Sequence, residues 1–184
     1  ATVEQLRRAH TNELIEYVRH VSERGGGLLD QGDTYVTGES FALACLAAGA
    51  CTAAVDQIMT SQAQNGFALV RPLGHHAETD RVSGFCSFNN VAVAARHAQV
   101  VHKAKRVAIV DFDVHHGNGT QDAFYEDETV LFFSTHQYPF YPGTGHWRDT
   151  GRGAGEGTTV NMPFPAGAGA WQWLMVAQVL PLMS

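Results

Sequence analysis

The sequence predicts an α/β fold, a parallel sheet held between two layers of helices. Three observations predict it. Short, continuous apolar runs alternate with helical stretches, as in βαβ units whose strands are buried on both faces. The runs are too short and too rich in β-branched residues to be helices. The polar residues with the most chemistry in them gather just after those runs, where open α/β sheets hold their ligands.

Taken in order, residues 2–22 read as one helix. Thr2-Val3-Glu4-Gln5 has capping-box form, and Val3, Leu6, His10, Leu14, Val18 and Val21 recur at three- and four-residue steps. Gly25-Gly26-Gly27 stops it, and a polar loop is expected to about Ser40. The alanine-rich, nearly uncharged stretch 40–61 predicts a helix buried on most sides, ended by Asn65-Gly66. Residues 67–70 predict the first strand, 90–105 a helix, 106–112 the second strand, 120–125 a short helix and 130–133 the third strand. A Gly/Pro-rich loop over 137–157 leads to a fourth strand at 158–162. An apolar helix follows from about Ala170, carrying Trp171 and Trp173. No repeat or internal boundary interrupts this pattern, so residues 1–184 are read as one domain.

Composition narrows the function. Twelve Lys+Arg against eighteen Asp+Glu give a formal charge of −6 without a basic stripe, which argues against a nucleic-acid partner. Apolar stretches fall short of the roughly 18 residues that span a bilayer, so no membrane role is expected and a cytoplasmic location is. Cys45, Cys51 and Cys86 form no C-x-x-C, which points away from a disulfide framework or a zinc knuckle. Cys86 reads as a buried, inert thiol. The glycines at 151, 153, 155 and 157 have the wrong spacing for a dinucleotide loop and read as a flexible rim. What stands out is ten histidines, two pairs of them adjacent.

The second strand runs into Asp111-Phe112-Asp113-Val114-His115-His116-Gly117-Asn118-Gly119. Residues two apart in an extended segment face the same side, so Asp113 and His115 aim a carboxylate oxygen and an imidazole nitrogen at one point. That donor set suits zinc or another divalent transition metal. Asp111 lies on the same side, one step deeper, where a buried carboxylate needs a cation or a donor. Helix capping by the two aspartates is the plainer reading, and it leaves the histidines unexplained. The pair His75-His76 follows the first strand. Solvated loop residues are one reading of it. Beside an Asp-x-His metal site, acid–base catalysis is the other, with Asp111 and Asn118 as the nearest partners to fix each tautomer. His136 and His146 read as loop or supporting residues. His10, His20, His97 and His102 fall on predicted helices, where surface or packing roles are expected.

Four segments together resemble the signature blocks of the histone deacetylase family, in the family's order and spacing. They are Arg71-Pro72-Leu73-Gly74-His75-His76-Ala77, Ser83-Gly84-Phe85-Cys86-Ser87-Phe88-Asn89-Asn90, Asp111 to Thr120, and Tyr141-Pro142-Gly143-Thr144-Gly145. The resemblance implies the three-layer arginase/deacetylase-like fold and a zinc-dependent amidohydrolase. It implies that Asp113 and His115 are two of three zinc ligands. His75 and His76 would be the catalytic pair, supported by Asp111 and Asn118. Asn118 in place of aspartate is similar to the class II and bacterial branches, and an uncharged partner holds His76 less strongly as imidazolium. Phe85 and Tyr141 resemble the aromatic walls around an acyl-lysine, and Gly84 the close backbone approach to it. Asp33 resembles the rim aspartate that holds a substrate backbone. Asp111, Asp113, His115, Ser134 and Thr135 resemble a structural potassium site. The implied substrate is an acetyl-lysine protein or peptide, an acetylated polyamine or a small amide. An oligomer is left open.

The third zinc ligand and the oxyanion-stabilising tyrosine or histidine of the family have no match in this sequence. The chain is therefore expected to be part of a longer catalytic domain, lacking strands at both ends and prone to associate through an exposed sheet edge. Two other functions remain in view at this point. A non-catalytic acyl-lysine or partner-binding module would explain the incomplete ligand set. An arginase-like hydrolase with two manganese ions is disfavoured, because Asp113-Val114-His115 continues into His116-Gly117 rather than another aspartate.

Overall fold

The computed structural model describes residues 1–169. The helix expected from about Ala170, with Trp171 and Trp173, lies outside them. The elements in order are α1 (Val3–Leu6), α2 (Asn12–Glu23), β1 (Gly26–Leu28), β2 (Tyr35–Thr37), α3 (Ser40–Met59), α4 (Asn90–His102), β3 (Val107–Asp111), α5 (Asn118–Phe124), β4 (Val130–Gln137) and β5 (Thr159–Phe164).

The fold is α/β as expected. β3, β4 and β5 form a parallel sheet in that order, with Asp111 in register with Ser134 and Ser134 with Asn161. The crossover from β3 to β4 runs through α5. The one from β4 to β5 is a loop with a single 3-10 turn at Gly153–Gly155. The core gathers Ile15 and Val18 of α2, Ala44 and Ala48 of α3, Ala92 and Val93 of α4, and Phe124 of α5 against Ile109, Val130 and Phe132 of the sheet. β4 is buried along nearly its whole length. β3 departs from expectation: Ile109 is buried, while Ala108 and Val110 on the alternate face are exposed among the described residues.

Several boundaries differ from the sequence reading for identifiable reasons. The helix expected over 2–22 is two helices. The apolar period runs through the break, but Thr11 leaves the helix to cap α2, accepting from the Leu14 N–H at 3.2 Å. Its own N–H donates to the Thr79 carbonyl. Thr2 does form the capping box with Gln5. The glycine run does more than stop a helix, since β1 and β2 pair antiparallel across the expected loop. Gly26 has φ +106, and an added Cβ there would strike the Val36 carbonyl oxygen.

α3 ends at Met59 and is buried mainly along Ala44, Ala47, Ala48 and Thr52, while Leu43 and Leu46 are exposed. It is thus covered on one side, not most. By length and composition alone it is also apolar enough to cross a membrane, contrary to expectation. Residues 67–70 form no strand, and Phe67 and Leu69 are each 88% exposed. β4 runs on to Gln137 and β5 to Phe164, past the expected ends.

Candidate active site

The site is built where β3 ends. Asp111 is the last residue of β3, and the chain then loops over Asp113 and His115 before α5 begins at Asn118. The loop carrying His75 and His76 is pinned to the start of α5, because the backbone N–H groups of Gly119 and Thr120 both donate to the His75 carbonyl. Two glycines make this approach possible. A Cβ on Gly117 would sit 2.2 Å from Asp111 Oδ2, and one on Gly119 would sit 2.1 Å from the Ala77 carbonyl oxygen. Gly84, at φ +56, closes over the His76 ring, where a Cβ would come within 2.4 Å of Cδ2.

Two imidazole dyads result. His75 Nδ1 lies 2.9 Å from Asp111 Oδ2, and His76 Nδ1 lies 2.8 Å from Asn118 Oδ1. The two rings are 4.0 Å apart by centroid. Their environments drive them in opposite directions. Burial alone would lower the pKa of His75, but the hydrogen bond and charge of Asp111, with Asp113 behind it, raise it above the usual histidine value. His76 is pushed down to about 4 by burial and by repulsion from His75, which the uncharged Asn118 only partly offsets. His76 is therefore neutral at neutral pH. Asn118 donates from Nδ2 to Glu78 Oε1 at 2.8 Å, which turns its oxygen toward His76. The Nδ1 proton of His76 is thereby held on that oxygen, leaving Nε2 free as a base.

The expected metal ligands converge as well. Asp113 Oδ1 and His115 Nδ1 lie 3.1 Å apart, a few tenths of an ångström inside the roughly 3.4 Å that separates two donors on one tetrahedral ion with bonds of about 2.1 Å. Asp113 Oδ1 also accepts the His115 backbone N–H at 2.8 Å. Burial would raise the Asp113 carboxyl, but that bond and the nearby imidazoles hold it below the usual range, in the anionic form a metal needs. The pair is a donor set of the kind zinc accepts. His116 turns away, with Nδ1 on Thr144 and Nε2 on Gln121. Among the described residues, three metal-ligating groups meet at one point only elsewhere, at Asp56, His97 and His102.

The remaining expected residues fall around this centre. Tyr141 stands edge-on to His76 at 5.0 Å, its hydroxyl hydrogen-bonded to Ser83 and its pKa raised by burial. Phe85 is 54% exposed at φ +63, its backbone N–H donating to Thr34 Oγ1 at 3.3 Å. Asp33 shares a cavity of about 440 Å³ with Phe85. Ser134 lies beside Asp111 in the sheet with its hydroxyl on His136 Nδ1, and Thr135 Oγ1 is buried without a hydrogen-bond partner among the described residues. Cys86 is buried and its thiol is pushed up to about 12 by burial, as befits an inert residue.

Sequence reasoning missed four participants. Phe140 stacks on His115 at 5.2 Å. Glu78 orients Asn118, and Gly117 makes room for the His75–Asp111 bond. His10, expected on a helix, instead sits in the break after α1, accepting the Asn89 N–H on Nε2 and donating from Nδ1 to the Glu78 carbonyl. His136, expected as a loop or supporting residue, is a buried residue of β4.

Residues 1–183 match the model of the histone deacetylase domain. The chain is 47% identical over 171 residues to histone deacetylase 14, chloroplastic, of Arabidopsis thaliana, covering 88% of this chain and 40% of that protein. It is 42% identical over 176 residues to a probable deacetylase of Archaeoglobus fulgidus, covering 96% of this chain and 48% of that protein. The crystal structure of the HDA15 HD domain superposes with a TM-score of 0.94 at 43% identity, over 98% of this chain and 52% of that one. The chain thus spans about half the length of these relatives or less.

Proposed function

The chain belongs to the histone deacetylase family, and on that premise we propose that it carries the acid–base pair and two zinc ligands of a deacetylase centre. The reaction is hydrolysis of the acetamide of acetyl-lysine or of a related N-acetylated amine. The observation that carries this reading is the division of labour between the two histidines. One is driven to hold a proton by Asp111 and the other to lose it beside Asn118, within a ring-to-ring distance of 4.0 Å. Pairs of titratable groups pushed apart in this way mark acid and base assignments.

Asp113 and His115 would hold the zinc, which when bound supplies a Lewis acid that polarises the carbonyl and makes water more acidic. His76 Nε2 takes the proton of the attacking water and returns it to the departing amine. Asp111 favours the imidazolium form of His75, which would place positive charge beside the developing oxyanion. Tyr141 and Phe85 flank the acyl chain, and Gly84, lacking a side chain, lets the backbone beside Phe85 close on the His76 ring. We propose in addition a structural potassium ion among Asp111, Asp113, His115, Ser134 and Thr135. The register of Asp111 with Ser134, and a Thr135 hydroxyl without a partner among the described residues, support it.

The test is a fluorogenic acetyl-lysine peptide assay on the whole protein, with zinc content measured alongside. His76→Ala is expected to abolish turnover and retain zinc. Full turnover in that variant, or zinc binding without turnover in the parent, overturns the reading. The second outcome is the one expected of a non-catalytic acyl-lysine-binding module. A two-manganese ureohydrolase site is opposed by His116, whose ring nitrogens are both engaged with Thr144 and Gln121.

A further inference from the structure

A second cluster of metal-ligating groups lies at the other end of α4. Asp56, near the C-terminal end of α3, faces His97 and His102 of α4, and both imidazoles reach the same carboxylate oxygen. His97 Nε2 lies 2.7 Å and His102 Nε2 2.6 Å from Asp56 Oδ1. The three donor atoms lie within 4.8 Å of one another. α4 rises about 18 Å between Asn90, beside the catalytic loop, and His102, so this cluster is separate from the zinc ligands. His97 is buried, His102 nearly so, and Asp56 is 45% exposed on its side chain, which gives solvent a route in.

We propose that Asp56, His97 and His102 form a second transition-metal site, of the zinc type, that pins α3 to α4. Two imidazole nitrogens and one carboxylate oxygen, with a water in the fourth position, are a ligand set that zinc and its neighbours in the first transition row accept. The pin has structural sense. α3 is covered along one side only, and its last turns, around Ile58 and Met59, are exposed. A tie at Asp56 would hold that end of the helix to the core.

Arg8 competes with the metal. Its NH1 lies 3.0 Å from His97 Nδ1, and a guanidinium only donates, so the neutral His97 carries its proton on Nε2, the nitrogen a metal needs. Binding requires each imidazole to move that proton to Nδ1. At His97 the move forces Arg8 to let go, and Glu4, 4.0 Å from Arg8 NH2, is the partner it can turn to. The site is therefore weaker than its donors alone would make it, and removing Arg8 should strengthen it.

The test uses Zn²⁺ alone, titrated calorimetrically into the whole protein, with Co²⁺ absorption to report tetrahedral coordination. The parent is expected to bind one equivalent more than either Asp56→Asn or His102→Gln, while His115→Gln retains this event. Arg8→Ala is expected to bind it about tenfold tighter, the usual reach of a group that contacts a ligand rather than the metal. Circular dichroism on each variant separates a lost site from a lost fold. Equal stoichiometry in the parent, Asp56→Asn and His102→Gln overturns the proposal, as does unchanged or weaker affinity in folded Arg8→Ala.

Discussion

His76 is tied to Asn118 through a hydrogen bond whose direction is decided by a third residue. The amide nitrogen of Asn118 is occupied by Glu78, so its oxygen faces His76 Nδ1 at 2.8 Å. The result is a base with a fixed tautomer and a partner that carries no charge. A carboxylate in the same place would favour imidazolium. Asn118→Asp is therefore expected to move the acidic limb of the kcat/KM profile upward by about one pH unit. A pH–rate series on the whole protein checks this, and an unmoved limb would show that His76 is not the group titrating.

Gly117 is expected to be intolerant of any side chain. A Cβ there meets Asp111 Oδ2 at 2.2 Å and His75 Nδ1 at 3.3 Å, so one of the pair must move. Gly117→Ala should lower kcat by about 100-fold and stability by roughly 1–3 kcal/mol, the cost of disrupting a partly buried charged hydrogen bond. Gly66→Ala is the control. Its Cβ makes ordinary contacts with Ala54 and Ile58, so stability should change by no more than about 0.5 kcal/mol. Denaturant melts and single-turnover rates on both variants test the contrast.

The site was more legible in the sequence than the scaffold around it, for a physical reason. Asp111, Asp113, His115, His75 and His76 lie in short stretches after apolar runs, so one-dimensional spacing already brought most of them together. Asn118 and Tyr141 joined them through the same blocks. What spacing could not carry was long-range contact. The four-residue period through Leu6, His10 and Leu14 continues across a break that exists because His10 and Thr11 bond to the loop around Glu78 and Thr79. The hairpin of β1 and β2 hides in a glycine run, since its strands are three residues each. Residues 67–70 have strand composition and take no strand partner among the described residues, where composition alone cannot say which edge a strand meets. The meeting of Asp56 with His97 and His102 depends on the packing of two helices and had no local signal.

Acid should destabilise the fold through His10. Its pKa is lowered to about 4, burial being the main cause, against two backbone carbonyls that favour the charged form. A protonated ring would also set Nε2–H against the Asn89 N–H that now donates to it. The unfolded chain binds the proton first, so stability is intact above about pH 6.5 and falls as pH drops toward about 4. A shift of roughly 2.5 units corresponds to about 3 kcal/mol for this group. His116, also lowered to about 4 and chiefly by burial, adds in the same direction. His10→Gln retains a donor and an acceptor but does not titrate, so it should be less stable than the parent at pH 7 and lose less between pH 7 and pH 5. Thermal melts at both pH values measure the slopes, and equal slopes would remove His10 from the account.

Thr34 should control substrate affinity without touching the chemistry. Its hydroxyl donates to Asp30 Oδ2 at 2.6 Å and accepts the Phe85 N–H at 3.3 Å. Asp30 in turn takes the backbone N–H groups of Gly32 and Thr34. This chain of bonds holds Phe85 at φ +63, a backbone conformation that costs a non-glycine residue about 1–2 kcal/mol and persists only while its surroundings enforce it. Thr34→Val keeps the shape and removes the hydroxyl, leaving the Phe85 N–H and Asp30 Oδ2 without it. The aromatic wall then loses its fixed position, while His75, His76, Asp111 and Asn118 keep all their bonds. The expected result is a rise of roughly 3- to 10-fold in KM for an acetyl-lysine peptide, as for loss of about one net hydrogen bond. kcat should stay within about twofold, because no group that moves a proton has been altered. Equal losses in kcat and kcat/KM would instead mean that Phe85 acts only in the transition state, and an unchanged KM would mean that the wall does not grip the substrate.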